Sequence, residues 1–171
     1  MLETKTVSEI INHIKSKDLS IKEVIEYYLN NIEKLNPKIN SIVSIKNKKE
    51  IIEEAEKKNN TKFCGLPIAI KDLSDVVGFP TTYGYPGTKN YNPKKNSLFV
   101  DKLLEAGITI IGKTNTAELG VGGQTINRLF GPTSNVYDIS KCAAGSSGGA
   151  STAVASGMLP FADGTDQMGS C

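Results

Sequence analysis

The chain has 171 residues, 39% of them hydrophobic and 22% charged, with 20 basic against 18 acidic side chains and a net charge of +2. That length suits one domain with a real core, and so balanced a charge leaves no electrostatic footprint for nucleic acid. No apolar run approaches the ~20 residues that a membrane span needs.

The three cysteines, Cys64, Cys142 and Cys171, form no C-x-x-C pair. With no signal peptide, an odd cysteine number fits a reducing cytoplasm better than a disulfide framework. Cys64 reads as a small core residue. His13 is the sole histidine and has no cluster of cysteines or carboxylates around it, so neither a metal site nor another cofactor is expected.

In chain order, Thr6-Val-Ser-Glu9 is a capping box that opens a helix with Val7, Ile10, Ile11 and Ile14 at helical spacing. His13 falls off that apolar face and reads as a solvated side chain with no catalytic role. Ser20-Ile-Lys-Glu23 is a second capping box, with Leu19 and Val24 as its staple. The helix that follows carries Val24, Ile25, Tyr28, Ile32 and Leu35 and is expected to stop before Pro37. The β-branched stretch 39–45 suggests a short strand, and 48–58 a charged helix with Ile51, Ile52 and Ala55 as a thin apolar face. Residues 1–60 thus read as a helical cover, and 61–171 as the core segment that carries the chemistry.

Gly65-Leu-Pro-Ile-Ala-Ile70 is an apolar run that delivers Lys71 at its end, as a buried strand would. A loop rich in Gly, Pro, Tyr and Thr spans 78–93. Ser97 then caps a helix that Gly107 ends, and Ile108-Thr-Ile-Ile111 reads as a buried strand. Strand, helix and strand in that order imply a right-handed crossover. The fold expected is α/β, with N-terminal helices over a mixed, mostly parallel sheet.

One pattern here is a lookalike. Residues 107–114 match G-x-x-x-x-G-K-[ST], but a phosphate loop must follow a strand and open a helix. The four middle residues, Ile108-Thr-Ile-Ile111, are β-branched and mostly apolar, follow a helix, and read as the strand itself. Residues 115–138 are expected to form an ordered loop. Residues 147–158 read as a helix of small side chains, and Leu159-Pro-Phe-Ala162 as a short strand leading into Gly164-Thr-Asp166.

Two serines sit in glycine-rich backbone, Ser146 and Ser170. A serine hydroxyl needs a base. The histidine lies on an amphipathic helix and there is no G-x-S-x-G elbow, so Ser–His–Asp chemistry is not expected. A lysine serves as base where burial depresses its pKa, and Lys71 has the right position. A strand-end lysine, a helix-capping serine and a loop serine are each ordinary alone; their conjunction carries the reading.

Gly145-Ser-Ser-Gly-Gly149, Gly164-Thr-Asp166 and Met168-Gly-Ser170, with Ile70-Lys-Asp72 upstream, resemble the amidase signature family. Segments 112–118 and 130–135 extend the resemblance to essentially the whole chain. It implies a Ser–cis-Ser–Lys triad: Ser170 as nucleophile, Ser146 as relay through a cis peptide, and Lys71 as base. It further implies an oxyanion hole from the backbone N–H groups of Gln167, Met168, Gly169 and Ser170. Asp166 organises that loop, and Gly122, Gly123 and Gln124 lie near the acyl pocket.

The activity implied is hydrolysis of a small-molecule amide to acid and ammonia or amine. Met168 stands where many members have glycine, which favours a general amidase over the glutaminase (A) subunit of the glutamyl-tRNA(Gln) amidotransferase. Members of the family usually run a few hundred residues further, so the chain corresponds to an N-terminal portion. On that reading an unpaired sheet edge or exposed pocket wall favours homo-oligomers or partner subunits, and a non-catalytic, structural fragment is the further alternative.

Overall fold

The computed structural model describes residue 2 and residues 4–171. Helix α1 spans Val7–Lys15 and α2 spans Ile21–Ile39, and both capping boxes form. In the second, Glu23 N–H donates to Ser20 Oγ at 3.1 Å and Ser20 N–H returns to Glu23 Oε2 at 2.8 Å. Two of the donors that a helix start leaves orphaned are thereby satisfied.

The expected stop before Pro37 is corrected: α2 runs through it and ends at Asn40, which takes the left-handed conformation at φ 58°. A proline in the last turn removes only one helical N–H. Asn36 offsets that loss, because its Oδ1 accepts from Ser41 N–H at 2.9 Å and Ile42 N–H at 2.8 Å while its Nδ2 donates to Ile42 O at 2.8 Å.

Strand β1 (Ile42–Ile45) follows, then helix α3 (Lys48–Glu56), whose Ile51 and Ala55 are buried. Strand β2 (Pro67–Lys71) is buried at all its residues. Helix α4 (Leu98–Glu105) leads through Gly107, at φ +89°, into strand β3 (Thr109–Thr114). Ser97 stands at the N-cap of α4, but its hydroxyl makes no capping bond. Gly112, Lys113 and Thr114 belong to β3, so the phosphate-loop lookalike is strand, as read. Helix α5 (Gly148–Ala155) closes the order.

The sheet order is β1-β3-β2. β2 and β3 pair in parallel, with Ile70 opposite Lys113 and Lys71 opposite Thr114. β1 pairs with β3 antiparallel, so the sheet is mixed and the N-terminal sixty residues supply one of its strands.

Each face of the sheet packs its own apolar cluster. One joins Ala69 and Ile111 to Ile10, Val24, Ile25, Ile51, Ala153 and Met158, drawn from α1, α2, α3 and the α5 segment. The other joins Ile68, Ile70 and Ile110 to Val76, Phe79 and Val100 of α4 and the loop before it. Cys64 is in the first cluster and fully buried.

The strand expected at 159–162 does not form. A strand needs a partner for its N–H and C=O groups, and Pro160 has no N–H. Where this segment meets β2, the contact is a side chain instead: Asp163 Oδ1 accepts from Lys71 N–H at 2.8 Å. Among the described residues, no helix is long and apolar enough to cross a membrane.

Candidate active site

Lys71 is the last residue of β2, and alternation along the strand turns its side chain towards the α5 face. It is fully buried. Its amine donates to three hydroxyls: Ser146 Oγ at 2.8 Å, Ser147 Oγ at 2.7 Å and Thr165 Oγ1 at 2.7 Å. Among the described residues no carboxylate lies within ion-pair distance of it. Burial pushes the amine below the ordinary lysine value, against the opposing pull of Cys171, Asp163 and Asp166.

Ser146 sits at the mouth of α5, and the Gly145–Ser146 peptide bond is cis. Its carbonyl accepts from Ala117 N–H at 3.2 Å and Thr116 Oγ1 at 3.1 Å. Gly145 N–H donates to Gly123 O at 3.0 Å, and Gln124 bridges Ala144. A Cβ at position 145 would stand 2.7 Å from the carbonyl carbon of Gln124, so the 122–124 segment can lie this close only against glycine.

Ser170 is brought to the same place by backbone: Ser147 N–H donates to Ser170 O at 3.0 Å. Among the described residues, Ser170 Oγ has no hydrogen bond to Ser146 or Lys71. Asp166 holds the loop, with Gly169 N–H at 2.6 Å and Ser170 N–H at 3.0 Å on its Oδ1 and Cys171 N–H at 3.3 Å on Oδ2. Those bonds keep its carboxyl below the usual aspartate value, and they match the loop-organising role read for Asp166. Two of the four N–H groups expected to form an oxyanion hole are thus on Asp166, while those of Gln167 and Met168 have no acceptor among the described residues. The Met168 side chain is 93% exposed.

His13 is half-exposed on α1, its ring nitrogens 3.2 Å from Asp18 Oδ2 and 2.9 Å from the Lys5 amine. Among the described residues its ring hydrogen-bonds no serine, and Ser16 Oγ donates only to its backbone carbonyl, at 3.2 Å.

Sequence reading missed three residues around the lysine. Ser147 and Thr165 share its amine, and the Ser-Ser doublet and the Gly-Thr-Asp triplet were the signals, since hydroxyls beside a motif serine are natural partners for a buried amine. Asp163 was missed as well. A lone acid closing the apolar run 158–162 was its only mark.

A second buried lysine lies on the opposite face of the sheet. Lys113 is 3.3 Å from Asp72 Oδ1, and its amine also donates to Ser74 O at 2.7 Å and Thr81 Oγ1 at 3.1 Å. Asp72 further accepts from the N–H and hydroxyl of Thr82. Burial pushes both partners towards their neutral forms, and the pairing opposes it.

The Amidase family model matches residues 23–171. The chain is 41% identical over 160 residues to the (A) subunit of the glutamyl-tRNA(Gln) amidotransferase of Methanosarcina barkeri (strain Fusaro / DSM 804), covering 91% of this chain and 33% of that protein. It is 38% identical to an acylamidase of Rhodococcus erythropolis, covering 96% of this chain and 36% of the relative. A solved bacterial aryl acylamidase of the amidase signature family superposes with a TM-score of 0.84 at 30% identity, covering 92% of this chain and 34% of that one. The chain therefore spans about a third of the length of the curated relatives it matches. With its motifs and fold matched together, this chain belongs to the amidase signature family.

Proposed function

We propose that this chain carries the reactive centre of an amidohydrolase that cleaves a carboxamide to an acid and ammonia or an amine. The observation that carries this reading is the Lys71 amine, fully buried, free of a carboxylate partner among the described residues, and 2.8 Å from Ser146 Oγ. Desolvation favours the neutral amine, which is the form that can accept a proton.

In the proposed reaction Ser170 Oγ attacks the amide carbonyl carbon as its proton passes to Ser146 Oγ, and the Ser146 proton passes to Lys71 Nζ. The tetrahedral oxyanion is held by the backbone N–H groups of Gln167 and Met168, and by those of Gly169 and Ser170 once they leave Asp166; losing one such donor costs roughly 100-fold or more in comparable sites. Collapse breaks the C–N bond, the leaving nitrogen takes the proton back along the relay, and water then attacks the acyl-enzyme to release the acid and free Ser170. This sequence requires Ser170 Oγ to close on Ser146 Oγ. Gly122, Gly123 and Gln124, packed beside Gly145, are the proposed lining of the acyl pocket. The setting proposed is cytoplasmic, with a small-molecule amide as substrate and with copies of this chain or other subunits as partners.

A second reading has an observation of its own. The Methanosarcina amidotransferase protein is 41% identical, against 38% for the acylamidase, so the tilt towards a general amidase rests on Met168 alone. In that second reading the same serine releases ammonia from glutamine, and activity depends on partner subunits.

The test is labelling of the 171-residue chain with a fluorophosphonate, read by intact mass and peptide mapping. One adduct on Ser170, lost in Ser170→Ala and reduced at least ~100-fold in Lys71→Met, is the expected result. A folded chain that takes no adduct would leave it without an activated nucleophile. Glutaminase activity appearing only with added subunits would favour the second reading.

A further inference from the structure

Asp163 closes the segment that runs from Met158 to the serine loop, and its carboxylate meets β2 at the one residue on which the chemistry depends. Asp163 Oδ1 accepts from the backbone N–H of Lys71 at 2.8 Å. β2 is an edge strand, paired only with β3 among the described residues. The carboxylate therefore occupies a backbone donor that a neighbouring strand would otherwise take. It fixes the end of the strand from which the amine is aimed at Ser146, Ser147 and Thr165.

We propose that Asp163 is a positioning residue for the Lys71 base: its carboxylate anchors the strand end that bears the amine and adds a negative charge that the buried amine feels. This inference deepens the lysine-base reading above and rests on it.

The charge matters because burial alone works only against the protonated amine, and an amine driven too far down is a poor acceptor for a serine proton. Cys171 opposes the burial of Lys71 most, followed by Asp163 and then Asp166. The groups that act on Asp163 itself are its own N–H, the N–H and amine of Lys71 on β2, and the Lys113 amine on β3. Burial nevertheless raises its carboxyl above the ordinary aspartate value. Titration of Asp163 and of Lys71 is therefore coupled through one hydrogen-bonded peptide group and a shared field.

The test compares the full chain with Asp163→Asn, which keeps an oxygen to accept the Lys71 N–H and removes the charge. With lysine labelled in 13C and 15N, the side-chain Cε resonance of Lys71 is followed against pH and identified by its absence in Lys71→Met. The expected result is a Lys71 midpoint about one unit lower in Asp163→Asn, with the acid limb of fluorophosphonate labelling moving the same way. A merely structural carboxylate would leave both in place, and an unshifted midpoint in folded Asp163→Asn overturns the inference.

Should that variant fail to fold by circular dichroism, the wild-type chain decides. The Lys71 backbone amide shift must then follow the same midpoint as the Asp163 carboxyl carbon, and independent midpoints overturn the inference. A shifted Lys71 midpoint with no adduct on Ser170 at any pH would keep the Asp163–Lys71 coupling and overturn the amidase reading instead.

Discussion

Lys71 and Lys113 are both shielded from solvent, on adjacent strands and opposite faces of one sheet, yet only Lys113 has a carboxylate at ion-pair distance among the described residues. Their substitutions should therefore part company. Lys113→Met leaves Asp72 buried with its cationic partner gone, and breaking a buried pair from one side costs about 3–5 kcal/mol. Urea unfolding should show that loss at neutral pH. Lys71→Met removes a desolvated amine held only by hydroxyls, so stability should hold or rise while labelling of Ser170 disappears, the trade expected of a group kept for function. The pH dependence follows from the direction of the shift. The folded pKa of Lys71 lies below the ordinary 10.5, so between the two values the unfolded chain holds more protons. The wild type should then gain stability relative to Lys71→Met as pH rises through that window, and its labelling should climb as the amine loses its proton. A labelling rate that is flat from about pH 6 to about pH 10 would remove lysine from the reaction.

At the scale of elements, α5 shows how tightly the site is built. Its glycines let the helix lie against the end of β3: a Cβ at Gly149 would stand 2.4 Å from both N and O of Asn115 and 2.8 Å from Ser41 O, all backbone atoms with no freedom to swing aside. Gly149→Ala should cost about 3 kcal/mol, the upper end of overpacking. It should also reduce labelling, because Asn115 leads directly into Thr116 and Ala117, which donate to the Ser146 carbonyl. An unchanged melting temperature in that variant would mean that the contact yields. Such closeness was only half legible. The run of small residues announced a helix packed backbone to backbone, and β2 was readable because five apolar residues lead to one lysine. The 159–162 segment was misread because a strand is a relation between two chains of hydrogen bonds, and the apolar pattern carries no sign of the missing partner. α2 passed through Pro37 for a similar reason: the asparagine that replaces the lost bond acts on residues beyond the helix. Lys71, Ser146 and Ser170 were legible as motif residues, whereas the hydroxyls of Ser147 and Thr165 became partners only once β2 and α5 were side by side.

For the whole molecule, the question is what makes two apolar clusters on opposite faces of a three-stranded sheet behave as one unit. Phe161 packs against both, and its ring stacks on Phe63 with centroids 6.2 Å apart and planes 28° from parallel. It sits two residues before Asp163 and leads into the loop that holds Thr165, Asp166 and Ser170. The side chain that joins the two faces thus also anchors the approach to the serine loop. Because the ring is only partly buried, Phe161→Ala should cost about 2–3 kcal/mol, somewhat less than a fully buried phenylalanine. Two outcomes follow if Phe161 is the joint. Urea unfolding should remain a single transition, with far-UV dichroism and tyrosine fluorescence coincident and the midpoint lowered. Labelling of Ser170 should fall further than the population of unfolded chains accounts for, because the loop loses its anchor while the helices stay intact. Val154→Ala, a truncation on the exposed side of α5, should change neither. If the two signals separate in Phe161→Ala, the faces unfold independently once the ring is gone; if labelling follows stability alone, the serine loop is held by Asp166 and the Ser147–Ser170 bond without help from Phe161.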